Sequence, residues 1–272
     1  MTAGRSSRLR DTGFAIASCA VLAAYNNVSG ERPWSSRWYV PANACATGVV
    51  LAAAAASGLT AADIGLRRDA WLPGRLASWL AAGAAAGWLL IAVVPATRPL
   101  LDDKRITSLE GRTVAYQAAV RIPIGTVLWE EVAFRGVLQA ALRRVMPKSA
   151  AVTVTSAVFG IWHVRPTAGA LRVNGLAGNR RRARAGVLAG VAVTTAAGAF
   201  LSWLRERSGR VAAPVLLHLA ANSGGLVAAW AVSGLPHVEG PPEAARRSAR
   251  VGSATADGST RGAVGIREGA RN

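Results

Sequence analysis

Charge is scarce in this chain. Only 17% of its 272 residues are Asp, Glu, Lys or Arg, and just 14 of them are acidic. A protein that coats nucleic acid needs a dense basic face on a polar surface, so this low fraction excludes that class despite a formal net charge of +18. Cysteine is limited to Cys19 and Cys45, both inside apolar segments, which leaves no disulfide framework and no CxxC metal site. Histidine occurs three times. There is no HExxH, no GxSxG and no GxGD, which argues against zinc site-2, rhomboid and presenilin-like intramembrane chemistry. Walker A and GxGxxG contexts are missing as well, and no internal repeat is visible.

What is present is apolar length: 51% of the residues are hydrophobic, and they fall in long runs separated by short basic clusters. That distribution belongs to a polytopic membrane protein whose loops carry the charge, not to a soluble domain. A spanning helix needs about 20 mainly apolar residues. Candidates lie at 13–28, 40–59, 76–97, 124–142, 149–164, 186–204 and 212–233, which predicts an all-α transmembrane bundle of seven or eight spans. The basic start (Arg5, Arg8, Arg10) and the apolar run from Phe14 to Tyr25 read as an uncleaved first helix. Pro123 lacks a backbone donor, so the fourth span is set to begin there, with 113–122 as a short interfacial helix. The Arg-rich stretch 165–185 reads as a loop with a short surface helix. Residues 1–236 form the transmembrane domain, and 237–272, rich in Gly, Ser, Arg and Glu, read as a disordered tail. More Lys and Arg fall on the side opposite Met1, mostly through 165–185 and the tail, so the orientation stays open. The Ala, Gly and Arg excess points to a high-GC genome and a bacterial plasma membrane.

Ionisable groups inside an apolar helix cost several kcal/mol unless paired or wetted, and are functional candidates by default. Here they come in spaced sets. Glu130, Glu131 and Arg135 lie in the fourth span, with Glu131 and Arg135 in the favourable i, i+4 order for an ion pair. That pairing leaves Glu130 as the odd carboxylate, suited to accept a proton. Phe159 and His163 close the fifth span, and His218 and Asn222 share a face of the last one. Each set read alone also fits interhelical hydrogen bonding. Together, Glu130, His163, His218 and Asn222 supply a carboxylate to activate water, an imidazole for proton transfer and donors for an oxyanion. Glu130, His163 and His218 could equally be ligands of a divalent metal such as zinc.

The ordered motifs EExxxR (Glu130, Glu131, Arg135), FxxxH (Phe159, His163) and HxxxN (His218, Asn222) resemble the CPBP family of intramembrane proteases. That family includes the type II CAAX prenyl endopeptidases, bacteriocin-processing proteins and Abi-type proteins. The resemblance covers roughly residues 120–225, with Phe134-Arg135-Gly136 and Ser208-Gly209 fitting alongside; the Arg-rich 165–185 is longer than the connector expected there. It implies an endopeptidase acting on a membrane peptide within the lipid bilayer, without nucleic acid as a partner. Glu130 would activate the attacking water with His163 assisting, His218 and Asn222 would stabilise the oxyanion, and Glu131 with Arg135 would support the site. A metal-independent reaction is favoured. The rival class is a non-catalytic peptide-binding or immunity protein of the same fold; a proton-coupled transporter is a third.

Overall fold

A computed structural model of the protein describes residues 2–29, 35–67 and 72–235; the tail expected at 237–272, with His237, lies outside the described residues. Every regular element among the described residues is helical. The long helices are α1 (Thr2–Ser29), α2 (Ser35–Ala56) and α3 (Arg75–Val93). A 3-10 turn (Pro95–Leu101) and the short α4 (Lys104–Thr107) lead into α5, which is continuous over 111–145. Then follow α6 (Lys148–Trp162), α7 (Val164–Val173), α8 (Arg180–Ser208) and α9 (Ala212–Ser233).

Glycine punctuates these helices where the chain must turn. α2 stops at Gly58, whose φ of 81° is the left-handed conformation that other residues resist. Its N–H donates to the Ala55 carbonyl, and that of Leu59 reaches back to Ala54, closing the Schellman pattern that satisfies the last carbonyls. Gly209, with φ 71°, ends α8 in a similar way.

The hydrogen bonds between helix ends fix the topology. At one end of the bundle Arg144, on α5, donates to the Ser57 and Gly58 carbonyls after α2, and its guanidinium lies 3.6 Å from Asp11 of α1. At the other end the side chains of Asn26 and Asn27 on α1 donate to the Trp162 and Ile161 carbonyls of α6, and Trp230 on α9 donates to Leu109. Among the described residues α1, α2, α3, α5, α6, α8 and α9 therefore run alternately up and down. One core cluster joins α1, α2, α5 and α6 around Trp129, Phe134, Leu138, Phe159 and Trp162.

Close helix approach depends on small residues, as it does between helices in lipid. A Cβ on Gly160 of α6 would collide with the Thr195 side chain of α8 and sit 3.0 Å from the Val191 carbonyl oxygen. Only a glycine lets α6 and α8 touch there.

Four described helices are long and apolar enough to cross a membrane: Arg37–Ala56, Arg75–Val93, Arg180–Ser208 and Ala212–Ser233. That is fewer than the seven or eight expected. α6 has 15 residues, or roughly 22 Å at ~1.5 Å each, against a hydrocarbon core of ~30 Å. α5 carries Glu130, Glu131 and Arg135 along its middle.

Two local expectations are corrected. The fourth helix does not start at Pro123 but runs unbroken from residue 111, wound over Gln117–Leu128 with the wider i→i+5 pattern. In that pattern Pro123 leaves only the Ala118 carbonyl without a donor, and Ser223 of α9 donates to it at 2.9 Å. The Arg-rich stretch is not a loop up to residue 185 either. α8 starts at Arg180, because Asn179 caps it by accepting the Arg182 N–H at 3.0 Å.

Candidate functional site

The site is built on the middle of α5. Residues Glu131–Leu138 are again wound i→i+5, and every one of them is buried, from the charged pair to Leu138. Such wide turns recur at functional sites because they re-aim side chains that a regular helix would spread around its circumference.

Glu131 and Arg135 form the ion pair that their spacing predicts. Nη1 of Arg135 donates to Glu131 Oε1 at 3.0 Å, with both side chains at 0% exposure. Arg135 reaches further, donating through Nη2 to the Gly198 carbonyl of α8 at a long 3.4 Å, and its guanidinium lies 4.0 Å from the centre of the Phe159 ring. One cation thus ties α5 to α6 and α8.

The same Glu131 oxygen accepts from His218 Nδ1 at 2.7 Å, bringing α9 into the network. The carboxylate has no proton to offer, so Nδ1 carries the hydrogen of the neutral ring. Nε2 is then an acceptor, and it receives the Asn222 side-chain N–H at 3.1 Å. Arg135, Glu131, His218 and Asn222 form one continuous chain across two helices. The His218–Asn222 part matches the shared face expected of them, whereas the Glu131–His218 bond was beyond what spacing reveals.

Glu130 stands apart from that chain. It is 5% exposed; its Oε1 accepts the Trp162 indole N–H at 3.1 Å, and its Oε2 has no hydrogen-bond partner among the described residues. Trp162 is in turn stacked against Tyr25 of α1, with ring centroids 5.7 Å apart and planes 4° from parallel. Neither Trp162 nor Tyr25 was picked out from the sequence as part of the site. The available signal was the indole N–H itself, a donor that must find a partner when buried.

His163 follows Trp162 at the C-cap of α6, half-buried. Its Nδ1 lies 2.7 Å from the Phe159 carbonyl oxygen, which can only accept, so Nδ1 carries the proton and Nε2 holds the lone pair of the neutral ring. The Phe159 ring packs edge-on to both imidazoles, 4.6 Å from His163 and 6.3 Å from His218. Phe159 is therefore the apolar centre around which the two histidines and Arg135 are arranged. The cap of α6 comes from α1: Asn26 and Asn27 satisfy its last carbonyls, and Asn27 Oδ1 accepts the Arg165 N–H at 3.0 Å.

The Glu130, His163 and His218 set does not gather as a metal site. Both nitrogens of His218 are engaged, by Glu131 and Asn222, and among the described residues no three His, Cys, Asp or Glu side chains converge to hold an ion.

No curated protein and no solved structure matches the chain. A family model does, over residues 113–224: type II CAAX prenyl endopeptidase Rce1-like. Those limits enclose Glu130, Glu131, Arg135, Phe159, His163, His218 and Asn222 together. With apolar helices flanking an acidic and histidine-lined centre, residues 113–224 match the Rce1-like type II CAAX prenyl endopeptidase domain, in line with the CPBP/CAAX protease family.

Proposed function

We propose that the protein is an intramembrane endopeptidase that hydrolyses a peptide bond at or within the bilayer, using Glu130 as the base that activates water. The observation that carries this reading is the state of Glu130. It is buried, one oxygen is fixed by Trp162, and the other has no partner among the described residues. Glu131 also has an unpartnered Oε2, but its Oε1 is shared by the Arg135 cation and His218, so the two adjacent carboxylates differ in that Glu130 alone has no cation bonded to it among the described residues.

In this reading Glu130 Oε2 takes a proton from water as the oxygen attacks the scissile carbonyl. His163, with its Nδ1–H committed to Phe159, offers the Nε2 lone pair to the same proton and returns it to the departing amine as the C–N bond breaks. Asn222 has two amide hydrogens and gives one to His218, which leaves the other to stabilise the oxyanion. His218 acts through Asn222, held in its tautomer by Glu131. The reaction needs no metal, and the bundle of seven or eight spans lies in a bacterial plasma membrane.

The test uses purified full-length protein and a susceptible membrane peptide. Glu130→Gln and His163→Ala should abolish cleavage while the helical content stays unchanged, and chelation should leave the wild-type rate intact. Wild-type cleavage by both variants would sink the assignment. Binding of the peptide without cleavage by the wild type would favour the non-catalytic peptide-binding protein.

A further inference from the structure

We infer that the cleft between the start of α3 and the end of α8 binds the phosphate group of an anionic phospholipid. This cleft, of about 290 Å³, is lined by Pro73, Gly74, Arg75, Leu76, Ala77, Leu204, Arg207, Ser208 and Arg210. Three of these are arginines, and none is acidic. Arg210 is partly spent on the Leu72 carbonyl, which its Nη1 meets at 2.9 Å. Arg75 and Arg207 have no hydrogen bond or ion pair among the described residues, and both are exposed. Guanidinium groups facing one cleft, with no counter-charge of their own, are matched in geometry and sign to phosphate oxygens.

Two further features fit the same ligand. α3 is a 19-residue helix whose N-cap, Gly74, lines the cleft and supplies no side-chain cap to the first-turn N–H groups. The floor is apolar: Ala77 and Leu204 are buried at 1% and 0% exposure. A free anion gains nothing from such a floor, whereas a lipid can lay its glycerol and first methylenes against it. The location agrees, because α3 and α8 are both candidate membrane spans and the cleft sits where α3 begins and α8 ends. Trp79, one turn along α3 from Arg75, is 72% exposed, as befits an aromatic anchor at the headgroup level.

The experiment incorporates the full chain into nanodiscs of phosphatidylcholine containing a minor fraction of phosphatidylglycerol and counts retained anionic lipid by native mass spectrometry. Arg75→Gln/Arg207→Gln removes only side chains without partners, so the fold, followed by circular dichroism, should persist. Its retention of phosphatidylglycerol should fall about tenfold or more, the scale expected when two interfacial arginines are lost. Arg180→Gln/Arg181→Gln, an equal charge loss at the other end of the bundle, should retain it as the wild type does. An equal fall in both double variants would show a nonspecific charge effect and overturn the site. So would inorganic phosphate competing as well as a short-chain phosphatidylglycerol, which would assign the cleft to small anions.

Discussion

Replacing Glu131 by Gln keeps the shape of the side chain and removes its charge, which makes it a sharp probe of the network on α5. Arg135 is 1% exposed and touches a single carboxylate. Its other contacts are weak: a 3.4 Å bond to Gly198 and the face of Phe159, while Nε has no partner. Stacking on Phe159 is worth about 2 kcal/mol when desolvated and cannot replace an anion. Removing one partner of a buried pair and leaving the other charged typically costs about 3–5 kcal/mol. For a chain of this size that corresponds to a fall of roughly 6–20 °C in melting temperature. The double variant Glu131→Gln/Arg135→Met removes the stranded cation and fills its volume, so most of the loss should be recovered. Thermal unfolding in one detergent, with the two singles and the double, completes the cycle. If Glu131→Gln melts within about 2 °C of the wild type, or the double is no more stable than the single, Arg135 is not held by Glu131 and the reasoning fails.

Further outcomes follow from other contacts. Trp162→Phe keeps an aromatic ring against Tyr25 and Phe134 but deletes the donor to Glu130; a hydrogen bond to a charged group is worth about 1.5–3 kcal/mol, so kcat should fall roughly 10–100-fold with KM little changed. Equal effects on kcat and KM, or a kcat within about twofold of wild type, would remove Trp162 from its positioning role. Gly160→Ala forces a Cβ against the Thr195 hydroxyl and the Val191 carbonyl, and overpacking of this kind should destabilise by about 1–3 kcal/mol; Gly160→Ala/Thr195→Ala, which removes that hydroxyl, should recover part of it in the same melt. Asp103, outside the apolar helices, is held down to about 2 by the Arg105 guanidinium and by N–H donors from Arg105 and Asn174. A depressed carboxyl stabilises above its ordinary titration and loses that contribution as pH falls from about 4 through 2. Amide exchange at Arg105 should therefore quicken across that window, and in Asp103→Asn it should be independent of pH once the intrinsic rate is removed.

The centre of the site was legible because charge in an apolar run is costly. Glu130, Glu131 and Arg135 announced themselves by composition, and the ion pair followed from spacing four. His218 and Asn222 were legible for the same reason, since both lie on one helix. The bond from His218 to Glu131 was not, because it joins residues 87 positions apart and no local pattern encodes it. Pro123 misled because a regular helix would break there; the wider winding of α5 and a hydroxyl from α9 remove the reason to break. The start of α8 misled differently. Four arginines in 180–184 read as loop by charge, although arginine is a good helix former and Asn179 stood ready as a cap. Apolar composition also located α6, although at 15 residues it falls short of the ~30 Å hydrocarbon core.

The asparagines at the end of α1 carry a consequence for the minimal protease. The family match begins at residue 113, yet the carbonyls of Ile161 and Trp162, the last turn before His163, are satisfied by side chains from residues 26 and 27. Tyr25 beside them braces the indole that holds Glu130. A fragment limited to the matched region would keep every side chain proposed to be catalytic and lose the contacts from α1 that hold Trp162 and the last turn before His163. The N-terminal helix thus supports the proposed site from outside the matched region. Severed and supplied separately, it should act as an activator of the remainder, much as a cofactor peptide switches on an apoenzyme.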